Sequence, residues 1–241
     1  LKATAAEVET FQRYMAEEYR KPNRRTLAKG TQGTRLSAVK GYYAFLYKRG
    51  AIVHDPARKI QVPKVRRTRV ACDHLNQQEA TAIMQTQAKM VAERKEGSRY
   101  WALEFRNLAM LALAIATGRR RTAMFSLRVR DLDFDRNEVR IEWEKGKAGR
   151  VLPCAKWAMR VSKEYIERAR PLLLNGQPDP AWLFVGQRTE RICGEYLGRL
   201  LRHVQERTIE DNPDLEELAA KKLKTHSLRV TFATMMFFNG A

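Results

Sequence analysis

The chain has 241 residues, of which 44% are hydrophobic and 30% charged, so it can bury at least one substantial core and form one or two domains. The formal net charge is +19, and residues 1–70 hold 17 Lys and Arg against five Asp and Glu. This excess of positive charge favours nucleic acid as the partner. The alternatives are a basic surface that is only solvated and a contact with a ribosome or a membrane surface. No apolar run reaches membrane-spanning length, no signal peptide is visible, and the three cysteines lie too far apart for a metal site or a disulfide framework, so the sequence indicates a protein of the reducing cytoplasm.

The first 55 residues are predicted to form a small helical domain. Apolar residues at helical spacing predict a helix over 7–19 and a clearer one over 34–47, with a short helix over 25–29 between them. Gly50 is expected to end the third helix, since glycine adopts the left-handed C′ conformation at little cost.

Residues 56–74 are predicted to be a linker, because Pro56, Pro63 and a run of basic residues replace the helical pattern. Such a run would either be solvated or follow a phosphate backbone. A second domain is predicted over 75–241, and it opens with a helix over 76–96 for which Asn76 and Glu79 provide a capping box.

The second domain is predicted to be mainly helical with one β-hairpin. A strongly apolar helix is expected over 105–116, a turn over 131–135, and two strands over 139–143 and 150–152 joined by a hairpin at 145–149. Further helices are expected over 155–174, 194–206 and 228–239. The predicted fold class is therefore mostly α with a small antiparallel β-sheet, that is α+β.

Three short motifs can bind a phosphate. Gly118 permits a sharp turn after the apolar helix, and three arginines follow it, either as a solvated cluster or with one guanidinium directed into an anion site. Lys145 and Lys147 lie at the hairpin tip, where lysines are usually exposed turn residues. His226 and Arg229 share one face at the start of a helix, where backbone N–H groups already favour an anion.

The order of these motifs resembles the catalytic domain of the tyrosine recombinases, which are the phage-integrase and Xer-type site-specific DNA recombinases. Segments 34–46 and 55–64 are similar to the helical core-binding domain of that family and its exit, so the resemblance spans nearly the whole chain. It implies a core-binding domain over residues 1–55 and a mixed catalytic domain over 75–241, which together form a clamp on double-stranded DNA.

The resemblance also implies roles for particular residues. The first catalytic arginine of the family falls on Arg120, the hairpin lysine on Lys145 with Lys147 as the alternative, and the His-x-x-Arg pair on His226 and Arg229. In the family a tyrosine attacks the scissile phosphate, the arginines bind its non-bridging oxygens, and the lysine protonates the departing 5′-oxygen. The histidine would hydrogen-bond the phosphate or accept the proton of the nucleophile. The family needs no metal, no nucleotide and no other cofactor.

DNA contacts are expected outside the catalytic set as well, although these side chains would otherwise only be solvated. The expected DNA-contacting residues are Arg35, Ser37, Lys40, Arg119, Arg121 and Lys147. The resemblance further implies a homo-tetramer on recombining sites, assembled in part through the segment after Ala241, and action on DNA of the nucleoid.

Two departures from the family pattern are visible. Ala123 stands where the family commonly has an acidic residue, and the nucleophilic tyrosine is expected beyond Ala241, so the chain is expected to be a piece of a longer protein. All eight tyrosines present are expected in the core or on the surface. Two other functions stay open: a DNA-binding module without catalysis, and a type IB topoisomerase, against which the first domain argues.

Overall fold

The computed structural model divides the chain into a first unit, Leu1–Val70, and a second unit, Ala71–Ala241. Both are mainly helical and the second contains a small antiparallel sheet, which confirms the predicted α+β class. None of the helices in the described part of the chain is long and apolar enough to span a membrane. The structure describes residues 3–23, 25–64, 72–141, 149–186, 192 and 194–238.

The first helix, α1 (Ala5–Arg13), begins with a capping box. The Thr4 side chain accepts a hydrogen bond from the backbone N–H of Glu7, and the Glu7 carboxylate accepts one from the backbone N–H of Thr4. A π-helical turn, Tyr14–Glu18, continues α1, so the helix predicted over 7–19 is confirmed.

The second helix, α2 (Lys29–Lys48), replaces two predicted helices. The short helix predicted over 25–29 is wrong, because Arg20 and Thr26 form an antiparallel bridge that takes up the backbone before α2. The helix predicted from 34 therefore begins five residues earlier. Gly50 follows the end of α2 with a φ of +70°, as predicted.

The segment after α2 belongs to the first unit. Ala57 and Ile60 are buried there, and Gly33 on α2 lies so close to Val62 that an added Cβ would be 3.3 Å from the Val62 Cγ1 atom. The division after Val70 lies within the linker predicted over 56–74, and Ala57 and Ile60 of that predicted linker belong to the core of the first unit. The buried apolar residues of this core are Val8, Met15, Leu27, Leu36, Ala57 and Ile60.

The second unit is arranged around α4, which is buried along almost its whole length and packs against five other helices. The helix predicted over 155–174 is present as α6 (Lys156–Glu164), a π-helical turn (Tyr165–Ala169) and α7 (Arg170–Leu174). The five-residue α9 (Glu216–Ala220) was not predicted, because it is too short for a periodic pattern to indicate. The helices of the second unit are α3 (Gln77–Ala92), α4 (Arg99–Thr117), α5 (Arg121–Phe125), α6 (Lys156–Glu164), α7 (Arg170–Leu174), α8 (Tyr196–Asp211), α9 (Glu216–Ala220) and α10 (Thr225–Phe238).

The sheet has three strands rather than the predicted two. They run antiparallel in the order β1 (Leu132–Asp133), β2 (Glu138–Ile141) and β3 (Arg150–Pro153). The turn predicted over 131–135 missed β1, because a two-residue strand shows no alternation. The predicted hairpin tip lies in residues 142–148, outside the described part of the chain.

Candidate active site

The turn after α4 can be made only by glycine. Gly118 has a φ of +55°, in the left-handed region that is unfavourable for residues with a Cβ atom. An added Cβ would also overlap the side chain of Phe232 on α10. The conformation and the close approach together bring this turn into direct contact with α10.

A hydrogen bond joins the same turn to the His-x-x-Arg pair. Arg229, half-buried on α10, donates from its Nη1 atom to the carbonyl oxygen of Gly118 at 2.8 Å. His226 is exposed in the first turn of α10. Two motifs that lie 111 residues apart therefore meet at one place, and the remaining guanidinium donors of Arg229 are available for an anion.

The three arginines after Gly118 differ in burial. Arg119 is 7% exposed, whereas Arg120 and Arg121 are exposed. Arg120 is the N-cap residue of α5. Arg120 lies two residues along the chain from Gly118, whose carbonyl oxygen Arg229 binds.

A cleft of about 640 Å³ opens next to this contact. Gly118 and Arg229 form one side of this site cleft, and Arg150 and Pro153 of β3 form another. Cys154 also lines it, and burial raises the pKa of its thiol to about 11, so the thiol is neutral at pH 7. Arg150 follows the hairpin in which Lys145 and Lys147 lie, and both lysines are outside the described residues.

A second cleft, of about 770 Å³, lies between α8 and the loop before α10. Sequence reasoning did not predict its two arginines on α8, although their spacing of three residues on a polar helix face was a usable signal. The Glu195 and Glu206 side chains also line it. We call it the basic cleft after its cations, Arg121, Arg199, Arg202, Lys221, Lys222 and Lys224.

Comparison with protein families gives one match that covers most of the chain. A model described as the phage integrase family matches residues 73–241, which include the site cleft, the hairpin and the His-x-x-Arg helix. The chain belongs to the phage integrase family.

Curated relatives within the phage integrase family are tyrosine recombinases. The chain is 29% identical to XerC of Pelobacter propionicus over 216 residues, which cover 89% of this chain and 62% of that protein. It is 30% identical to XerC of Roseiflexus castenholzii over 217 residues, which cover 90% of this chain and 62% of that one. The chain therefore spans slightly less than two thirds of the length of these relatives.

Solved structures of recombinases share the fold of this phage integrase family member. The XerH recombinase bound to difH substrate in a pre-cleavage complex matches with a TM-score of 0.67 and 16% identity, over 99% of this chain and 61% of that one. The Tn1549 transposon integrase in complex with circular intermediate DNA matches with a TM-score of 0.63 and 16% identity, over 99% of this chain and 74% of that one.

The tyrosines of the second unit lie away from the site cleft. Tyr165 is fully buried, and burial raises its pKa to about 12. The Tyr196 hydroxyl donates to the Asn107 side chain at 2.9 Å. Tyr100 stands near the start of α4, about 27 Å from Gly118 at the rise of a helix. Within the described part of this unit, no tyrosine lines the cleft.

The residues of the first unit that were predicted to contact DNA have different surroundings. Arg35 and Ser37 are exposed on α2, and the Arg35 guanidinium lies 4.9 Å from the centre of the Tyr19 ring. The Lys40 ammonium instead donates to two backbone carbonyls, that of Arg58 at 3.2 Å among them. Lys40 thus has a structural role in this family member, and its predicted DNA contact stays a prediction.

Ala123, which replaces the acidic residue common in the phage integrase family, is buried in α5 and offers no side-chain acceptor to Arg120.

Among the described residues, no three His, Cys, Asp or Glu side chains are grouped as a metal site requires. A reaction without metal or other cofactor stays a prediction.

Proposed function

We propose that this chain is the DNA-binding and phosphate-activating part of a site-specific DNA recombinase or integrase, which breaks and rejoins double-stranded DNA through a 3′-phosphotyrosyl intermediate. One observation carries the proposal: Arg229 donates to the Gly118 carbonyl, which holds the His-x-x-Arg helix against the Thr-Gly-x-Arg turn. Relatives that are named XerC and XerD tyrosine recombinases support a recombinase over a type IB topoisomerase.

The two arginines supply positive charge to the scissile phosphate. Arg120 and Arg229 bind its non-bridging oxygens with paired donors, which stabilises the charge that develops as the nucleophile attacks. His226, exposed beside Arg229, hydrogen-bonds the phosphate or accepts the proton of the nucleophile. This arrangement needs no metal, because guanidinium groups supply the charge that a metal would supply elsewhere.

A lysine of the hairpin protonates the departing 5′-oxygen. We assign this general-acid role to Lys145, with Lys147 as the alternative, because the strand that follows them brings Arg150 to the wall of the site cleft. The covalent link between protein and DNA conserves the energy of the phosphodiester bond, so rejoining needs no nucleotide.

The nucleophile is a tyrosine outside residues 1–241. The positions of three tyrosines in the second unit support this assignment: Tyr165 is fully buried, the Tyr196 hydroxyl is bonded to Asn107, and Tyr100 lies at the opposite end of α4 from Gly118. Residues 1–241 taken alone would then bind DNA without cleaving it, which is the second function that these positions favour.

DNA binding uses basic residues of both units. The phosphate contacts come from Arg121 and the other cations of the basic cleft in the second unit and from Arg35 in the first, with Ser37 as a polar neighbour, so affinity falls steeply with salt. Arg119 is only 7% exposed, and its DNA contact stays a prediction. The active assembly is a homo-tetramer on recombining sites in the cytoplasm, at the nucleoid, and no membrane takes part.

The test uses the full-length gene product and a nicked suicide duplex, which traps the covalent intermediate. We expect a protein–DNA adduct that survives denaturing electrophoresis, and a loss of roughly hundredfold to thousandfold in its rate of formation with Arg120→Ala or Arg229→Ala. Arg94→Ala, which removes an equal charge from an exposed position beyond the far end of α3, should leave the rate unchanged.

Two results would refute parts of this proposal. Absence of an adduct, or an adduct formed at the same rate by Arg120→Ala, would refute the assigned site. Mass spectrometry that finds the DNA on any tyrosine of residues 1–241 would refute the position of the nucleophile.

A further inference from the structure

We infer that Glu79 and Lys221 are positioning residues for the His-x-x-Arg helix, an inference that rests on the function proposed above. Neither side chain lines the site cleft. They act through residues 221–224, a loop without regular secondary structure that leads directly into α10.

The contact between them fixes the loop to α3. The Lys221 ammonium lies 2.7 Å from both carboxylate oxygens of Glu79. The Glu79 side chain is 1% exposed, and it also accepts the backbone N–H of Asn76 at 2.8 Å as part of the α3 capping box. The carboxylate is therefore held by its own helix and presents a fixed anchor to a loop 142 residues away.

Further hydrogen bonds from the same part of the chain hold the loop and the helix it leads into. The backbone N–H of Lys222 donates to the Asp73 carboxylate at 2.9 Å. The backbone N–H of Leu75 donates at 2.9 Å to the hydroxyl of Thr231, which is fully buried on α10. Residues 73–79 thus contact both the approach to α10 and its second turn.

The Glu79–Lys221 ion pair affects the position of α10 more than it affects the free energy of unfolding. A buried pair contributes little net stability, because removing both charges from water offsets most of their attraction. The contact nevertheless requires that Glu79 and Lys221 keep their relative positions. The pair therefore sets where α10 begins and so where His226 and Arg229 meet the phosphate, and a shift of about 1 Å in such a group can lower a rate roughly hundredfold.

The experiment compares two identical chemical changes in the full-length protein. Glu79→Gln removes the charge but keeps an oxygen that can cap α3. Asp179→Asn is the matched control, because Asp179 accepts hydrogen bonds from the buried Arg170 at 2.7 Å and from the backbone N–H of Ala181, and neither partner lies on α10. DNA affinity and the single-turnover cleavage rate at saturating DNA are measured well below the melting temperature of each variant.

We expect Glu79→Gln to lower the cleavage rate by roughly tenfold to a hundredfold with DNA affinity little changed. Asp179→Asn should change neither quantity, even where it lowers the melting temperature equally. Lys221→Arg, which keeps the charge and the reach, should retain most of the wild-type rate.

The outcomes separate this inference from the proposed function. An adduct formed by the wild type and by Glu79→Gln at equal rates would overturn the positioning role and leave the function standing. Equal rate losses in Glu79→Gln and Asp179→Asn would show that Glu79 contributes only to overall stability and would overturn the positioning role. Absence of an adduct in the wild type would remove both proposals. Unchanged hydrogen exchange over residues 221–229 in Glu79→Gln would refute the anchor itself.

Discussion

The two units differ in how they hold their polar side chains. In the first unit the core is small and apolar, with Gln32 as its buried polar residue among those described, and the basic side chains lie mostly outside it. In the second unit polar groups are buried beside α10, among them Glu79, Ser227 and Thr231. Affinity for a phosphate backbone needs only exposed charge, whereas phosphate chemistry needs donors held in fixed positions, and the difference between the units follows these needs.

One residue type shows the difference directly. Gly50 in the first unit and Gly118 in the second both follow a helix with a positive φ, +70° and +55°. A Cβ added to Gly50 would meet nothing within 4 Å, whereas one added to Gly118 would overlap Phe232. The first glycine only ends a helix, and the second also lets α10 approach the turn after α4.

The largest expected effect comes from Gly118→Ala. We predict a loss of about 3 kcal/mol or more in the free energy of unfolding of the second unit, because left-handed strain and the overlap with Phe232 add together, and a loss of DNA cleavage. Gly50→Ala should cost the first unit only about 1 kcal/mol, from the strain alone. All four tryptophans follow residue 100, so their fluorescence reports on the second unit, and hydrogen exchange reports on the first. Equal losses in the free energy of unfolding at the two glycines would contradict this difference between the units.

A smaller effect is expected at alkaline pH, and only in the second unit. Burial raises the pKa of Tyr165 from 10.0 to about 12, so folding favours the neutral hydroxyl. This contribution is complete below pH 10 and is lost as the pH rises towards 12, when the unfolded chain gives up a proton that the folded chain retains. We predict that Tyr165→Phe gains about 2 kcal/mol relative to wild type between pH 9 and pH 12. A constant difference between the two proteins, measured by tryptophan fluorescence in urea, would contradict it.

Local patterns predicted the elements to which we assign the phosphate chemistry. The Thr-Gly turn, the His-x-x-Arg helix and the Asn76 cap each depend on residues within one or two helical turns, and each is present in the structure. The meeting of Arg229 with Gly118 was expected only through the family resemblance. Spacing alone places both motifs at helix ends and gives no distance between them.

Local patterns did not predict the contacts between segments that are distant in the sequence. Glu79 was predicted as a capping residue, and nothing in its neighbourhood indicates that Lys221 would bind the same carboxylate. The packing of Gly33 against Val62 was likewise not predicted, because it depends on a segment that was expected to be a linker. Both cases involve a residue whose partner lies on another element, and the local sequence carries no information about that partner.

The central claim is that Arg120 and Arg229 act on one phosphate, and a double-mutant cycle tests it most directly. The single-turnover rate of adduct formation on the nicked duplex is measured for the full-length protein, each arginine-to-alanine variant and the double variant. We predict that each single change costs roughly hundredfold or more and that the double change costs little more than one of them, as for residues that act as a unit. Losses that multiply, as they do for independent sites, would contradict the claim.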